Sequence, residues 1–138
     1  MELNYLDYKD VRTQSDAFLH FMQMLDPQMV DSVLKEDRTY QNLEKPEFMK
    51  ALSKALDSFT EEGDTHLRCF SGKCGSKKCH YECSGVRFVG DTSSSYMDLI
   101  VLVKEGEVQD VFECTSFYCD DGPVEVKKRV WIEGFDFL

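Results

Sequence analysis

Long apolar segments are missing from this sequence of 138 residues. The longest apolar run, Leu99–Val103, is much shorter than the roughly 20 residues that a membrane-spanning helix needs. The opening stretch MELNYLDYKD is acidic and contains no apolar run, which is not typical of a secretory signal. We therefore expect a cytoplasmic protein that does not enter a membrane.

Positive charge is also scarce. The chain has 16 Lys and Arg residues against 26 Asp and Glu residues, so its formal net charge is −10. Phosphate groups and anionic lipid surfaces repel such a chain, which disfavours binding to nucleic acid or to a membrane surface. An acidic surface is instead complementary to a basic protein. We expect the partner to be a basic protein or a small ligand.

The motifs of several common enzyme classes are absent as well. The chain has three histidines and no H-E-x-x-H, C-x-x-C, G-x-S-x-G or glycine-rich phosphate loop. These absences argue against most zinc hydrolases, against thioredoxin-like oxidoreductases and against nucleotide-binding proteins.

Cysteine is the residue that points most directly to chemistry, and all six cysteines lie between residues 69 and 119. Four of them fall within CFSGKCGSKKCHYEC, residues 69–83, together with His80 and several lysines. Basic neighbours favour thiolates, and sulfur ligands at this density favour zinc. A reducing cytoplasm argues against disulfides. The candidate metal ligands are Cys69, Cys74, Cys79, Cys83 and Cys114.

A zinc site built from these residues is expected to be structural. Cys69 and Cys83 should face each other across a hairpin, and four protein ligands leave no open position for catalysis. The x4–x4–x3 spacing departs from the C-x2-C zinc knuckle and from the plant-type iron–sulfur run. Buried thiols without a metal, disulfides and redox-active thiols therefore remain as alternatives.

Hydrophobic periodicity predicts helices first and strands afterwards. Apolar residues at helical spacing begin near Ser15, resume after Asp26 and Pro27, and resume again after Pro46. From residue 65 the pattern changes to alternation, and short turns between the strands imply antiparallel neighbours. The predicted strands are 65–70, 85–90, 96–103, 108–117 and 124–132.

The expected fold class is α+β, with three N-terminal helices packed on a four- or five-stranded antiparallel sheet. Cystatin-like and nuclear-transport-factor-like proteins have this order of elements. No internal repeat or linker is visible. We therefore predict one domain over residues 1–138, with a cysteine-rich hairpin at 69–83.

The segment GVRFVGDTSSSYMDLIVLVKEGEVQDVFECTSF resembles a group of small, uncharacterised bacterial proteins. In that group a cysteine-rich loop precedes a G-x-x-F-x-G stretch, a Y-x-x-L strand and an E-C-x-x-F strand. The matching residues here are Gly85, Phe88, Gly90, Tyr96, Leu99, Glu113, Cys114 and Phe117. The resemblance implies that Cys114 belongs with the upstream cysteines and that Cys119 is the outlier. It implies no activity.

The leading interpretation is a non-enzymatic binding or interaction domain whose hairpin is stabilised by a structural zinc ion. One alternative is a small-ligand enzyme with a pocket between helices and sheet, in which a carboxylate serves as general base. A thiol-based redox or metal sensor is the other alternative. The candidate polar groups of the enzyme are Asp98, Tyr96, His66 and Glu113.

Overall fold

The computed structural model describes residues 2–75 and 84–132, and in these ranges the chain is α+β, as predicted. A short 3-10 helix precedes three α-helices, which are α1 (Gln14–Gln23), α2 (Pro27–Val33) and α3 (Lys45–Glu61). The strands are β1 (Glu2–Leu3), β2 (Thr39–Tyr40), β3 (Leu43–Glu44), β4 (Leu67–Cys74), β5 (Ser84–Gly90), β6 (Tyr96–Lys104), β7 (Glu107–Glu113) and β8 (Phe117–Cys119). None of the helices in these ranges is long and apolar enough to span a membrane.

Polar side chains fix where the first two helices begin. Thr13 accepts a hydrogen bond from a first-turn amide of α1 at 3.1 Å. Asp26 does the same for α2 at 3.2 Å, and Pro27 occupies the first helical position, where no backbone donor is needed. The predicted Asp–Pro start of the second helix is therefore confirmed.

A buried lysine joins α2 to α3. Lys45, at the start of α3, donates from Nζ to the backbone carbonyls of Asp31 and Leu34 at 2.7 Å each. These carbonyls lie at the C-terminal end of α2, where backbone carbonyls have no hydrogen-bond donor within the helix. Glu36 accepts a further hydrogen bond from the same ammonium at 2.8 Å, so the buried charge is fully paired.

Six of the described strands form one antiparallel sheet in the order β1-β4-β5-β6-β7, with β8 also paired to β4. β1 and β8 share the outer edge of β4, because β5 occupies the inner edge. The sequence predicts only four or five strands. The short strands β1 and β8 were not predicted, because two or three residues are too few to form an alternating pattern. The predicted strand at 124–132 is wrong: within the described chain its one ladder contact is an isolated parallel bridge between Arg129 and Tyr96.

The sheet has two faces of different character, since successive side chains of a strand point to opposite sides. The helix face carries Val86, Phe88 and Leu99 and forms the main core with the helices. The second face carries Arg87 and Asp98, which are directly opposite each other on β5 and β6.

Residues 114–132, here called the strap, cross the second face. They leave the end of β7, pair with the far edge of the sheet through β8, and return to β6. On the return, the amide of Val130 donates to the carbonyl of Tyr96 at 2.7 Å. The side chains of Val130 and Ile132 then enter the main core.

Side chains occupy the outer edge of β7. The side-chain oxygen of Gln14 accepts a hydrogen bond from the Val108 amide at 2.6 Å, and that of Gln41 accepts one from the Glu113 amide at 2.8 Å. Arg38 donates to the Val108 carbonyl at 2.9 Å. Backbone groups that would otherwise recruit another strand are thereby occupied.

Candidate functional site

The described cysteines are divided between the two faces of the sheet. Cys69 lies in the main core on the helix face. Cys74 lies on the second face, because the odd step of five positions between them reverses the side-chain direction along β4. Cys114 and Cys119 belong to the same second-face apolar cluster as Cys74. The remaining sulfur and imidazole candidates, Cys79, Cys83 and His80, lie outside the described residues.

This division contradicts the metal-stabilised domain predicted from the sequence. Among residues 2–75 and 84–132, no three His, Cys, Asp or Glu side chains are placed to hold one metal ion. Cys69, Cys114 and Cys119 are free thiols. The sequence prediction of a metal-stabilised binding domain is wrong because Cys69 lies on the opposite side of the sheet from Cys74 and Cys114.

Cys69, Cys114 and Cys119 are also poorly suited to redox sensing. Burial raises the pKa of Cys69 well above its usual range and raises the pKa of Cys114 to about 11, with the thiol of Cys74 as a hydrogen-bonding neighbour. Burial raises the pKa of Cys119 too, although the nearby Arg87 opposes the shift. Protonated thiols are weak nucleophiles. These side chains therefore act as small apolar groups.

The residues proposed for an enzyme site do not converge. Asp98 and Tyr96 lie on β6 and point to the second face, whereas Glu113 is buried on the helix face. His66 precedes β4 and lies 3.4 Å from a carboxylate oxygen of Asp91, in the turn that follows β5. The four predicted polar groups therefore do not meet in one pocket between helices and sheet.

Two arginines share the carboxylate of Asp98 on the second face. Arg87 donates from Nε at 2.7 Å and from Nη2 at 3.0 Å, and Nη1 of Arg129 lies 3.6 Å from the same carboxylate. The side chain of Asp98 is 3% exposed, and each arginine side chain is 14% exposed. Burial raises the cost of separating these charges, so the three groups form one electrostatic unit. We call it the arginine cluster.

Aromatic rings alternate with the two guanidinium groups. Arg87 lies 4.9 Å from the ring centre of Tyr96 and 5.7 Å from that of Phe117. Arg129 lies 5.9 Å from the ring of Tyr96 and 3.8 Å from that of Trp131. Ring faces attract cations, most strongly where water is excluded. The row therefore runs Phe117, Arg87, Tyr96, Arg129, Trp131.

Two glycines allow the strap to approach the sheet. A β-carbon added at Gly72 would lie 2.2 Å from the Tyr118 carbonyl oxygen and 2.4 Å from the Phe117 ring. One added at Gly85 would lie 2.9 Å from the same ring and 2.3 Å from the Leu99 carbonyl oxygen. The absence of side chains at both positions lets Phe117 pack closely against β4 and β5, at one end of the aromatic row.

A cavity of about 380 Å³ opens beside this ring. Its lining residues are Arg87, Phe117, Tyr118, Cys119, Gly122 and Pro123. The strap therefore supplies every wall except the guanidinium, which comes from β5. The volume lies in the range of small-molecule sites.

No protein-family model, curated protein or solved structure matches this chain. Function is therefore inferred from the arginine cluster and the cavity on the second face.

The sequence contains a signal for this site that residue-by-residue reasoning missed. Arg87 interrupts the apolar run GVRFVG, and Asp98 interrupts YMDLIVLV. Pairing these two predicted strands about the turn between them brings the two charges opposite each other, as observed. Arg129 and Phe117 carried no comparable signal, because the path of the strap is set by tertiary contacts.

Proposed function

We propose that the protein is a binding domain for a small carboxylate ligand with an apolar body, held in the second-face cavity against Arg87. The observation that carries this proposal is the arrangement of donors on that guanidinium. Asp98 occupies the edge formed by Nε and Nη2. Nη1 makes no hydrogen bond with the part of the chain that the structure describes, which leaves the end-on Nη1–Nη2 edge for a second carboxylate.

Charge balance supports an anion at this position. The arginine cluster holds two guanidinium groups and one carboxylate, so it carries one net positive charge in a partly buried place. Uncompensated buried charge is costly, and aromatic faces offset it only in part. An anionic ligand would complete the balance.

The walls of the cavity support an apolar ligand body. Phe117, Tyr118 and Pro123 provide carbon surface around the guanidinium. The shape matches sites in which a few polar groups orient a mostly apolar ligand. The described lining residues include one thiol, that of Cys119, whose pKa is raised by burial, and no carboxylate or imidazole that could serve as a general base. Binding is therefore favoured over catalysis.

The test is a titration of isotope-labelled protein with benzoate, acetate and inorganic phosphate, followed by NMR. We expect benzoate to shift the Arg87 Nε–H and the amides of Tyr118 and Gly122, more strongly than acetate does. Shifts spread evenly over the surface, or strongest for phosphate, would contradict the proposal.

Two variants localise the effect. Arg87→Met should abolish the benzoate shifts, and Tyr118→Ala should weaken binding about tenfold without touching a buried group, since Tyr118 is 53% exposed. Arg68→Met is the matched control, because Arg68 makes the same two-pronged contact with Glu2, at 3.1 and 3.0 Å, outside the cavity. Equal loss in the Arg68 and Arg87 variants would refute a specific site.

A further inference from the structure

A buried carboxylate fastens the end of the strap to the sheet. Glu113 ends β7, and its Oε1 accepts a hydrogen bond from the Ile132 amide at 3.1 Å. The side-chain amide of Gln41 approaches the same oxygen at 3.5 Å, while its carbonyl accepts from the Glu113 amide at 2.8 Å. One side chain thus joins β7, the β2–β3 turn and residues 127–132.

The second oxygen of this carboxylate is in a different situation. Oε2 of Glu113 is buried and has no hydrogen-bond partner in the described chain. A protonated carboxyl group leaves no charge there and still accepts both bonds at Oε1. An ionised carboxylate would place charge on an oxygen that neither water nor a donor reaches. Burial accordingly raises the pKa of Glu113 to about 7, against the opposing effects of Ile132, Arg129 and Gln41.

Few charged groups face this carboxylate. Arg129 acts on it from residues 127–132, and Asp110, on β7, is linked to it through Gln41, whose backbone N–H donates to the Asp110 carboxylate at 3.0 Å. Burial raises the pKa of Asp110 as well. From α3, the buried cation Lys45 is paired with the end of α2 and with Glu36 instead.

Residues 127–132 have other attachments to the sheet as well, which include the Val130 hydrogen bond to Tyr96, the contact of Arg129 with Asp98 and the buried side chains of Val130 and Ile132. The Lys127 amide donates to the Ser94 carbonyl at 2.9 Å, and the Tyr96 amide donates to the Lys128 carbonyl at 2.9 Å. Arg129 and Trp131 extend from this segment to the second face, where they form the last two members of the aromatic row. Any loosening of the segment therefore moves both.

We propose that Glu113 is a protonation-dependent latch: its neutral carboxyl group holds residues 127–132 on the sheet, and loss of the proton releases them. Release exposes the carboxylate to water, which the closed arrangement denies it. The inference concerns the helix face and does not depend on the ligand proposed for the second face.

The single tryptophan provides a direct readout, because Trp131 lies within the segment and stacks on Arg129. Emission from Trp131 should change in one step between pH 5 and 8 in the natural chain. Glu113→Gln, which keeps a neutral side chain of the same shape, should remove that step. Glu107→Gln is the matched control on β7, because the pKa of Glu107 is lowered by its hydrogen bond with Lys35.

Hydrogen exchange measures the opening itself. The opening equilibrium should rise about tenfold per pH unit between 4.5 and about 7 and then level off, since the folded state holds a proton that the released state gives up. Protection factors of the Val130 and Ile132 amides should therefore fall roughly 20-fold from pH 5.5 to 7.5. They should stay constant in Glu113→Gln. Parallel loss of protection in both proteins, or flat Trp131 emission in the natural chain, would overturn the latch.

Discussion

Arg87 holds the buried carboxylate of Asp98 across neighbouring strands, through hydrogen bonds of 2.7 and 3.0 Å. Arg68 and Glu2 repeat this geometry at the sheet edge, at 3.1 and 3.0 Å, but with both side chains about half exposed. The two pairs share their chemistry and differ in solvation. The protein therefore offers an internal comparison of a buried and an exposed ion pair.

The first prediction uses this comparison. Asp98→Ala leaves two partly buried guanidinium groups without a carboxylate and should lower the free energy of unfolding by about 3 kcal/mol or more. Glu2→Ala should cost less than about 1 kcal/mol, because water solvates the freed Arg68. Urea denaturation measures both. Equal losses would show that Asp98 is not electrostatically coupled to its arginines, and Arg87→Met combined with Asp98→Met should recover most of the loss.

The second prediction concerns the close contact between the strap and strand β4 at Gly72. Gly72→Ala places a methyl group against a backbone oxygen of β8, which cannot rotate away, so we expect a loss of about 1–3 kcal/mol in unfolding free energy. Exchange at the Gly75 amide, which donates to the Ser116 carbonyl at 2.7 Å, should accelerate because β8 is displaced.

Gly122→Ala serves as its control. No atom lies within 4 Å of the added carbon, and the cost, about 1 kcal/mol, comes from the backbone φ of +100° alone. Exchange at Gly75 should not change in this variant. If Gly72→Ala leaves that amide protected, the strap does not depend on the glycine.

The third prediction is the dependence of global stability on pH. Burial raises the pKa of Glu113 from 4.5 to about 7, so the unfolded chain releases this proton first. The contribution of Glu113 is most favourable below pH 4.5 and is lost as pH rises towards 7, by about 3 kcal/mol in total. Denaturation curves for Glu113→Gln and the natural chain should converge at low pH and separate at pH 8, with the variant more stable. A constant difference at every pH would be inconsistent with titration of Glu113.

The fourth prediction concerns thiol reactivity. Because burial raises the pKa values of Cys69 and Cys114, both should resist iodoacetamide in the native protein at pH 7.5 and react once the chain is unfolded in urea. Mass spectrometry of the digested protein identifies which cysteines are labelled. Rapid labelling of Cys69 without denaturant would show that the main core opens readily or that the thiol is not buried.

Local sequence signals predicted the helices and the central strands well. Asp26 followed by Pro27 contains both the side-chain acceptor and the imino residue that a helix start favours, and the second helix begins there. The β-branched run within β6 likewise predicted a strand, which the structure confirms with five consecutive buried residues. These features depend on neighbours within a few positions, so a single sequence is sufficient to read them.

The candidate site was harder to predict, because its geometry is non-local. The cysteine spacing suggested one cluster, yet the odd step from Cys69 to Cys74 assigns them to opposite faces, which follows only once both lie on the same strand. The contact of Phe117 with Gly72 joins residues about 45 positions apart. No local pattern encodes such a contact, and for that reason the strap and its cavity were missed.

The path of the strap also affects how the sheet should respond to mechanical force. Its covalent chain starts at β7 on one edge of the sheet, pairs with β4 near the other edge, and returns to β6. Peeling β7 away would pull on β8, and peeling β4 away would pull on the return segment. Neither edge of the sheet can therefore detach on its own. We expect the sheet to unfold under mechanical force in a single step.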